Sequence, residues 1–513
     1  MSLVPFGAPL NIANGIREFA RATPNTVAVI DGDRRLTYRE LADRAARWAN
    51  TLLGAGLKQG DHVAICLGNR LEFPEIAAGI AMAGMVMVPL NPRYTSVEAR
   101  FVLEHSEARL VLVDEALIEV VGDTVRDHRI PTVVLGQTDE FISYEDALAS
   151  ASPVDPQVTV SEDTPFCISY TSGTTATPKG VMISHRSRVL TFYMSALEWN
   201  LGAGRTSVAV APMYHGAGFA FGYAPVFTGG TVVMLRKWDP EKLLYLVEKE
   251  RAQSVFLVPT HAQMLRGLGE SAIRARDLSS LDTLYFNAAA LPWELKKWVI
   301  DTFPGVGVHE LYGSTESGII TNLRPVDMLR KPGSVGQPWY MTEVRVVDAD
   351  GNIVGPGGTG ELYSRSPYLM RGYLKNPEAT AACTTEDGFV TCGDIVRLDE
   401  EGYIYIVGRK SDMIISGGVN IYPREIEDVL VTHPSVAEAA VIGTPSEKWG
   451  EEVTAYIVLA PGAEFDVAAL EEHCRRSLAG YKIPRQWKLI PELPRNAAGK
   501  VVKRDLPRQT PLN

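Results

Sequence analysis

Strand-like and helix-like segments alternate along this 513-residue chain up to about residue 400. Helix-like stretches occur at 38–53, with Thr37 as a candidate N-cap, and at 73–82. Short apolar runs of strand length stand at 62–67, 86–90, 110–113 and 132–135. A similar alternation recurs from 207 to 284. The pattern predicts an α/β fold, with two layered subdomains built on partly parallel sheets.

The pattern changes toward the C-terminus. Short strands separated by glycine turns from 333 to 407 predict a small β-rich subdomain. Beyond 412 a compact α+β pattern follows, with helices expected at 425–431 and 467–478 and strands at 437–442 and 454–459. We therefore predict an N-terminal core (1–408), a hinge (409–412) and a small mobile C-terminal domain (413–513).

Composition and charge argue against several classes of protein. The chain is 46% hydrophobic and 22% charged, an ordinary globular mixture, and its net charge of −11 argues against a general nucleic-acid binder. The apolar run 76–90 is shorter than the about 20 residues that span a membrane, so we expect a core helix leading into a strand and no integral membrane segment. Five dispersed cysteines without C-x-x-C spacing predict reduced, mostly buried thiols in a cytoplasmic protein and no zinc site.

The stretch YTSGTTATPKG, 170–180, has the composition of an anion-binding loop. Backbone N–H groups in such a turn, three or more hydroxyls and a lysine can all hold phosphate oxygens. Apolar runs at 166–168 and 181–183 predict a strand–loop–strand arrangement. The stretch is not a Walker A loop, because Lys179 follows Pro178 and no helix pattern comes next. The plain alternative is a flexible surface turn.

A second glycine-rich stretch, GPGGTG at 355–360, satisfies G-x-G-x-x-G. A dinucleotide-binding fingerprint has to open a helix. This one follows a turn signal at 348–352 and leads into the strand-like 361–363, so we predict a β-turn.

Several separated motifs stand in a fixed order between residues 36 and 506: LTYRELA, YTSGTTATPKG, LYGSTESG, TCGDIVRLDEEGYIYIVGR, SGGVNIYPREIE and PRNAAGK. In these motifs the chain resembles the adenylate-forming superfamily, in its acyl-CoA synthetase branch. The resemblance implies two reactions. A carboxylate first joins AMP with release of pyrophosphate, and the acyl group then passes to coenzyme A.

The resemblance implies a set of nucleotide-binding residues. Tyr312 would stack on adenine, Thr315 would meet the α-phosphate, and Glu316 would hold Mg²⁺ together with Thr171. Asp394, assisted by Arg409, would bind the ribose. Further residues of the ATP site would be Ser172, Gly173, Thr174, Thr175, Lys179, Ala288, Ala289, Ala290 and Gly313. The alternatives are a capped strand end for the Tyr312 motif and a plain turn for Asp394.

Lys500, which by position looks like a solvated charge, would be the catalytic lysine according to the resemblance. The small domain would rotate about Ser411 between the two reactions. Ser416, Gly417 and Gly418 would then line the pantetheine tunnel, although the two glycines are equally consistent with a tight turn. This chain departs from the family pattern at Ala176, where glycine is usual, and at Ser411, where many relatives have Asp or Lys.

The acyl pocket is expected around PMYHGAGF, 212–219, where His215 would gate the acid; a packed or surface histidine is the alternative. Further candidates for its lining are Tyr214, Phe219, Phe221, Thr260, Asn287 and Ile319. In Asn287-Ala288-Ala289-Ala290-Leu291, alanines replace a glycine-rich segment of many relatives. Their methyl groups either narrow the site or shift the backbone.

We therefore expect an ATP- and Mg²⁺-dependent acid–CoA ligase acting on an apolar acid, such as a medium- or long-chain fatty acid. Aryl, alicyclic and steroid side-chain acids stay open as substrates. A stand-alone adenylating enzyme that loads a carrier protein is the second hypothesis, and a non-catalytic binding protein is the third. The expected partners are the acid, ATP and coenzyme A, without nucleic acid; a homodimer stays open.

Overall fold

The computed structural model describes residues 9–171, 178–495 and 501–506. They form two compact units, 1–343 with 364–390 and 344–363 with 391–513. The smaller unit thus includes stretches that the sequence analysis assigned to the N-terminal core, and the boundary at residue 408 stays a prediction.

The larger unit contains two mixed sheets. In spatial order, the strands of the first sheet are Ile142–Ser143, Thr132–Leu135, Leu110–Asp114, His62–Cys66, Val86–Pro89, Pro165–Thr171 and Lys179–Ser184. Neighbouring strands are parallel except for the last pair, which forms an antiparallel hairpin. The strands of the second sheet are Gln337–Pro338, Gly318–Leu323, Gly307–Ser314, Thr283–Phe286, Ser254–Leu257, Thr206–Ala209, Thr231–Met234, Val27–Asp31 and Arg34–Thr37. The predicted α/β fold with partly parallel sheets is confirmed.

The helices of the larger unit connect and cover these strands. They are Asn14–Ala22, Tyr38–Gly54, Phe73–Met82, Ser96–Ser106, Ile118–Asp127, Tyr144–Ser150, His185–Trp199, Gly216–Phe227, Pro240–Glu250, Pro259–Gly267, Glu270–Arg274, Trp293–Thr302 and Pro377–Cys383. The predicted cap at Thr37 is confirmed: its side chain accepts from the Glu40 amide while the Glu40 carboxylate accepts from the Thr37 amide, which satisfies two backbone donors at the helix start.

The smaller unit carries two further sheets. One consists of Glu343–Val347, Thr359–Arg365, Val390–Leu398 and Ile404–Arg409; the other contains Val419–Ile421, Ile414–Ser416, Gly450–Leu459, Val436–Ser446 and Gln486–Leu489. Helices Pro423–Leu430 and Val467–Arg475 pack on the second sheet over a core that includes Ile426, Leu430 and Leu470. The α+β pattern predicted for the C-terminal tail is confirmed.

Two local predictions are also confirmed. The stretch 355–360 is a turn, in which the Gly358 amide donates to the Gly355 carbonyl at 3.0 Å, and it leads into strand Thr359–Arg365. Every residue of helix Phe73–Met82 is buried, and strand Val86–Pro89 follows it, as expected for a core segment. No helix in the described ranges is long and apolar enough to cross a membrane.

The cysteines carry free thiols. Cys66, Cys167 and Cys474 are buried, while Cys383 and Cys392 are half-buried. The cytoplasmic location inferred from the cysteines stays a prediction.

Candidate active site

The anion-binding loop closes a hairpin between strands Pro165–Thr171 and Lys179–Ser184. Thr171 and Lys179 face each other in register, so the strand–loop–strand prediction is confirmed for the flanks of the loop. Residues 172–177 lie outside the described ranges, and with them the predicted phosphate contacts of Ser172, Gly173, Thr174 and Thr175 as well as the departure at Ala176. Thr171 is half-buried at the end of its strand.

A second hairpin, between Gly307–Ser314 and Gly318–Leu323, carries the Tyr312 motif. Tyr312 is buried, while Thr315 and Glu316 are half-buried in the connecting turn. A Cβ on Gly313 would lie 2.0 Å from the carbonyl oxygen of Gly318, so only glycine fits this close approach of two strands.

Tyr373 joins the two hairpins. Its hydroxyl donates to Glu316 Oε1 at 3.0 Å, and its ring centroid lies 4.9 Å from Lys179 Nζ. The backbone supports this placement, because Val181 and Tyr373 form an antiparallel bridge and the Leu374 amide donates to the Gly180 carbonyl at 2.8 Å. One side chain therefore links the lysine of the anion-binding loop to the predicted Mg²⁺ ligand. Sequence reasoning missed Tyr373, whose neighbours suggest only a turn before a helix.

The residues around Glu316 fit a Mg²⁺ site in which a bound nucleotide supplies the other oxygen ligands. In the described ranges, no group of three or more His, Cys, Asp and Glu side chains is placed to hold a metal ion. Mg²⁺ commonly binds one or two carboxylates together with phosphate oxygens of a nucleotide. Glu316 fits that shell when ATP supplies the remaining oxygens. The roles of Glu316 and Thr171 as metal ligands stay predictions.

The alanine segment after strand Thr283–Phe286 is partly strained. Ala288 has φ = 74°, the left-handed region that glycine occupies without a steric penalty, and its amide contacts Asn287 Oδ1 at 2.5 Å. Ala288 and Ala289 are exposed, and Ala290 is half-buried. The Leu291 amide anchors the end of the segment by donating to Glu310 Oε1 at 3.0 Å. Ala288 thus keeps a conformation that favours glycine and carries its methyl group on the surface.

A small cavity brings together three of the predicted acyl-pocket residues. Its wall includes Tyr214, His215 and Phe219, together with Arg188, which the sequence analysis did not single out. His215 keeps an exposed surface, but the protein atoms packed around its ring displace part of its hydration and so lower the pKa of the imidazole, which favours the neutral form at neutral pH. We call this space the Arg188 cavity.

The other predicted acyl-pocket residues lie elsewhere. Phe221 stacks on Phe256 at a centroid distance of 4.5 Å, on a different side of helix Gly216–Phe227 from the cavity residue Phe219. Thr260 is exposed in the first turn of helix Pro259–Gly267, Asn287 is half-buried, and Ile319 is buried. Their places in an acyl pocket stay predictions.

In the smaller unit, the predicted ribose ligands are paired. Asp394 and Arg409 face each other on adjacent antiparallel strands, and Arg409 Nε donates to Asp394 Oδ1 at 2.9 Å. Asp394 is 5% exposed, so the ion pair fixes a nearly buried carboxylate. A buried carboxylate held in place in this way can accept hydrogen bonds from a pair of hydroxyl groups.

The predicted hinge and tunnel residues lie further along the same unit. Ser411 stands in the single-turn helix Lys410–Asp412, and its hydroxyl contacts Asp412 Oδ1 at 3.0 Å. Gly417 and Gly418, with φ = 59° and 79°, form the two-residue turn that joins Ser416 to strand Val419–Ile421. Two positive φ values are what a tight hairpin turn requires, which accounts for the glycines without a tunnel. Lys500 lies outside the described residues; the bridge between Arg495 and Val501 brackets its segment.

The chain is similar to known proteins over nearly its whole length. It is 36% identical over 502 residues to a 2-succinylbenzoate–CoA ligase of Geobacillus kaustophilus, covering 97% of this chain and 98% of that protein. A long-chain-fatty-acid–CoA ligase of Mycobacterium tuberculosis is 34% identical over 506 residues, covering 97% and 98%. The structure of o-succinylbenzoate CoA synthetase from Bacillus subtilis with its acyl-adenylate intermediate has a TM-score of 0.87 at 29% identity, covering 96% and 97%.

Two family models match the chain in the expected order. Residues 16–374 match the AMP-binding enzyme, and residues 425–500 match the AMP-binding enzyme C-terminal domain. The chain therefore belongs to the AMP-binding enzymes of the adenylate-forming superfamily.

Proposed function

We propose that this protein is an AMP-forming acid–CoA ligase. The observation that carries the proposal is the contact of Tyr373 with both Lys179 and Glu316, which brings the anion-binding loop and the Tyr312 motif together. The family supports adenylate formation, and the relatives described above are CoA ligases over almost their full lengths.

In the first reaction, a carboxylate oxygen attacks the α-phosphorus of ATP and pyrophosphate leaves. Negative charge must be cancelled between the two anions, so cations and oriented donors are required. We assign Lys179 and Thr171 to the phosphates and Glu316 to Mg²⁺, which would draw charge from the phosphate oxygens. We assign Thr315 to the α-phosphate, Tyr312 to adenine and Lys500 to the bond-forming oxygens.

In the second reaction, the sulfur of coenzyme A attacks the acyl carbon and AMP leaves. Ser416, Gly417 and Gly418 are assigned to the pantetheine chain, and Ser411 to the hinge between the two reactions. Asp394 and Arg409 would hold the ribose. A dimer is not part of the proposal.

For the acid, we propose an apolar body bound near Tyr214, His215 and Phe219. A medium- or long-chain fatty acid is the first candidate, because the wall of the Arg188 cavity is mostly apolar and one relative acts on long-chain fatty acids. An aryl acid is the second candidate, supported by the relative named for 2-succinylbenzoate.

Mass spectrometry of the products from pooled carboxylic acids, ATP, Mg²⁺ and coenzyme A tests the proposal. CoA thioesters are the expected products, and the preferred acid identifies the pocket. Accumulation of acyl-adenylates without thioesters would show that coenzyme A is not the acceptor, and a carrier protein would then be the acceptor to test. The absence of both products would contradict the proposal.

A further inference from the structure

Arg188 is a half-buried arginine whose charge no carboxylate among the described residues balances. It belongs to helix His185–Trp199, and its guanidinium carbon lies 5.8 Å from the ring centroid of Phe166. Its Nε is fully buried and has no hydrogen-bond partner within the described part of the chain. Unlike the other arginines of this helix region, Arg188 faces the Arg188 cavity, next to Tyr214 and His215.

Residues 1–8, 172–177, 496–500 and 507–513 contain no aspartate or glutamate, so they offer no carboxylate side chain as a counter-charge. The Cys167 thiol interacts electrostatically with Arg188, but burial raises the pKa of this thiol to about 12, so it is neutral at neutral pH. Burial also lowers the pKa of Arg188 to about 10, which still leaves the guanidinium protonated at neutral pH. The side chain therefore places an uncompensated positive charge at the cavity.

A partly buried charge without a partner is unfavourable, and charged groups in perturbed surroundings cluster at functional sites. The planar guanidinium is suited to bind a carboxylate or a sulfonate through two parallel hydrogen bonds. The position of the cavity defines what that partner can be. Ser169 in its wall belongs to the strand that leads into the anion-binding loop, and His215 belongs to the predicted acyl pocket.

We propose that Arg188 is a specificity-determining residue that binds a second anionic group, a carboxylate or sulfonate, on the carboxylic acid. The inference rests on the proposed function and replaces its first candidate, a simple fatty acid, by acids with an apolar body and two acidic groups. The reacting carboxylate has to reach the α-phosphorus, whereas the second group binds beside Arg188 at the wall of the cavity and is not consumed.

The test measures how fast the wild-type protein and its variants adenylate a set of matched acids. The acids are α,ω-dicarboxylic acids of increasing length, aromatic dicarboxylic acids, the monomethyl ester of each, and ω-sulfonated analogues. Acyl-AMP formation is followed by ATP–pyrophosphate exchange without coenzyme A. The variants are Arg188→Met, which keeps the length of the side chain and removes its charge, and Arg188→Lys, which keeps the charge and removes the two parallel N–H donors of the guanidinium. Arg186→Met is the matched control, because Arg186 is exposed on the same helix and pairs with Glu162 at 2.6 Å.

We expect wild type to prefer a dicarboxylic acid over its monomethyl ester by about tenfold or more in kcat/KM, mainly through KM. Arg188→Met should abolish or reverse this preference, Arg188→Lys should retain part of it, and Arg186→Met should leave it unchanged. Thermal unfolding of the ligand-free Arg188→Met protein should occur at the same or a higher temperature, because a partly buried, unpaired charge has been removed.

The outcomes separate the inference from the proposed function. If wild type adenylates monoesters as well as dicarboxylic acids and Arg188→Met changes no ratio, the ligase stands and the second-anion site is refuted. If Arg188→Met slows all acids equally, Arg188 serves the reacting carboxylate or the fold, and the inference is again wrong. If no acid is adenylated, the proposed function fails; thermal shift then decides the site, because a dicarboxylic acid should stabilise wild type and not Arg188→Met.

Discussion

Replacing Tyr373 by phenylalanine removes one hydroxyl group and leaves the aromatic ring in place. The lost interaction is the hydrogen bond to Glu316 Oε1 at 3.0 Å, while the ring contact with Lys179 Nζ at 4.9 Å is retained. A hydrogen bond to a charged group contributes about 1.5–3 kcal/mol, and a tenfold change in rate corresponds to about 1.4 kcal/mol. Because Tyr373 and Glu316 are both half-buried, the lower end applies, and we expect adenylation to slow about tenfold.

The assay is ATP–pyrophosphate exchange at several Mg²⁺ concentrations. If Tyr373 positions Glu316 for the metal, Tyr373→Phe should need more Mg²⁺ for half-maximal rate. Tyr373→Leu also loses the cation–π contact, which is worth about 0.5–1 kcal/mol at an exposed site, and should slow the reaction a further two- to fivefold or so. Tyr193→Phe, on the exposed side of helix His185–Trp199, is the control. An unchanged rate and Mg²⁺ dependence for Tyr373→Phe would refute the positioning role.

Three further predictions concern stability and ATP binding. Ala288→Gly removes the strain of a left-handed alanine, about 1 kcal/mol, but glycine adds a similar amount of entropy to the unfolded chain, so this variant should unfold at about the wild-type temperature. Ala289 has no positive φ to relieve, so Ala289→Gly should unfold at a lower temperature. Burial lowers the pKa of His185 from 6.5 to about 3, so the unfolded chain takes up a proton that the folded chain refuses. Stability should therefore fall as the pH drops below about 6.5, by about 2 kcal/mol at pH 5 from this residue, and pH-dependent thermal unfolding of His185→Gln should show a shallower fall. Asp394→Ala should raise KM for ATP more than it lowers kcat, in steady-state kinetics, if the carboxylate holds the ribose; an unchanged KM would remove Asp394 from the site.

Much of the fold follows from local sequence signals. Thr37 and Glu40 form a capping box from residues three apart, and the segment 73–82 is apolar except for Glu75, so each can be identified without knowledge of distant residues. The pairing of Asp394 with Arg409 needs both a local motif and the register of two strands. Both residues were selected by their motif, and the register of two consecutive strands then places them face to face.

The residues that were missed depend on tertiary packing. Tyr373 acquires its role because the segment 370–374 lies against strand Lys179–Ser184, nearly two hundred positions away, and no pattern within either segment predicts that pairing. Arg188 has the appearance of a solvated charge on a helix, the usual fate of an arginine. Its partial burial results from the packing of Phe166 and the PMYHGAGF segment around it.

One hairpin, between Pro165–Thr171 and Lys179–Ser184, connects these two residues. Its tip holds the anion-binding loop, and its outer edge pairs with the segment that carries Tyr373 and, through it, Glu316. Cys167 and Ser169 on its inner strand form part of the wall of the Arg188 cavity. Because a paired strand moves as a unit, the proposed phosphate end and the proposed acid end of the site would share one rigid support. Their separation is then set by the length of this hairpin, which limits which acids can place one carboxylate at the α-phosphorus and a second anionic group at Arg188.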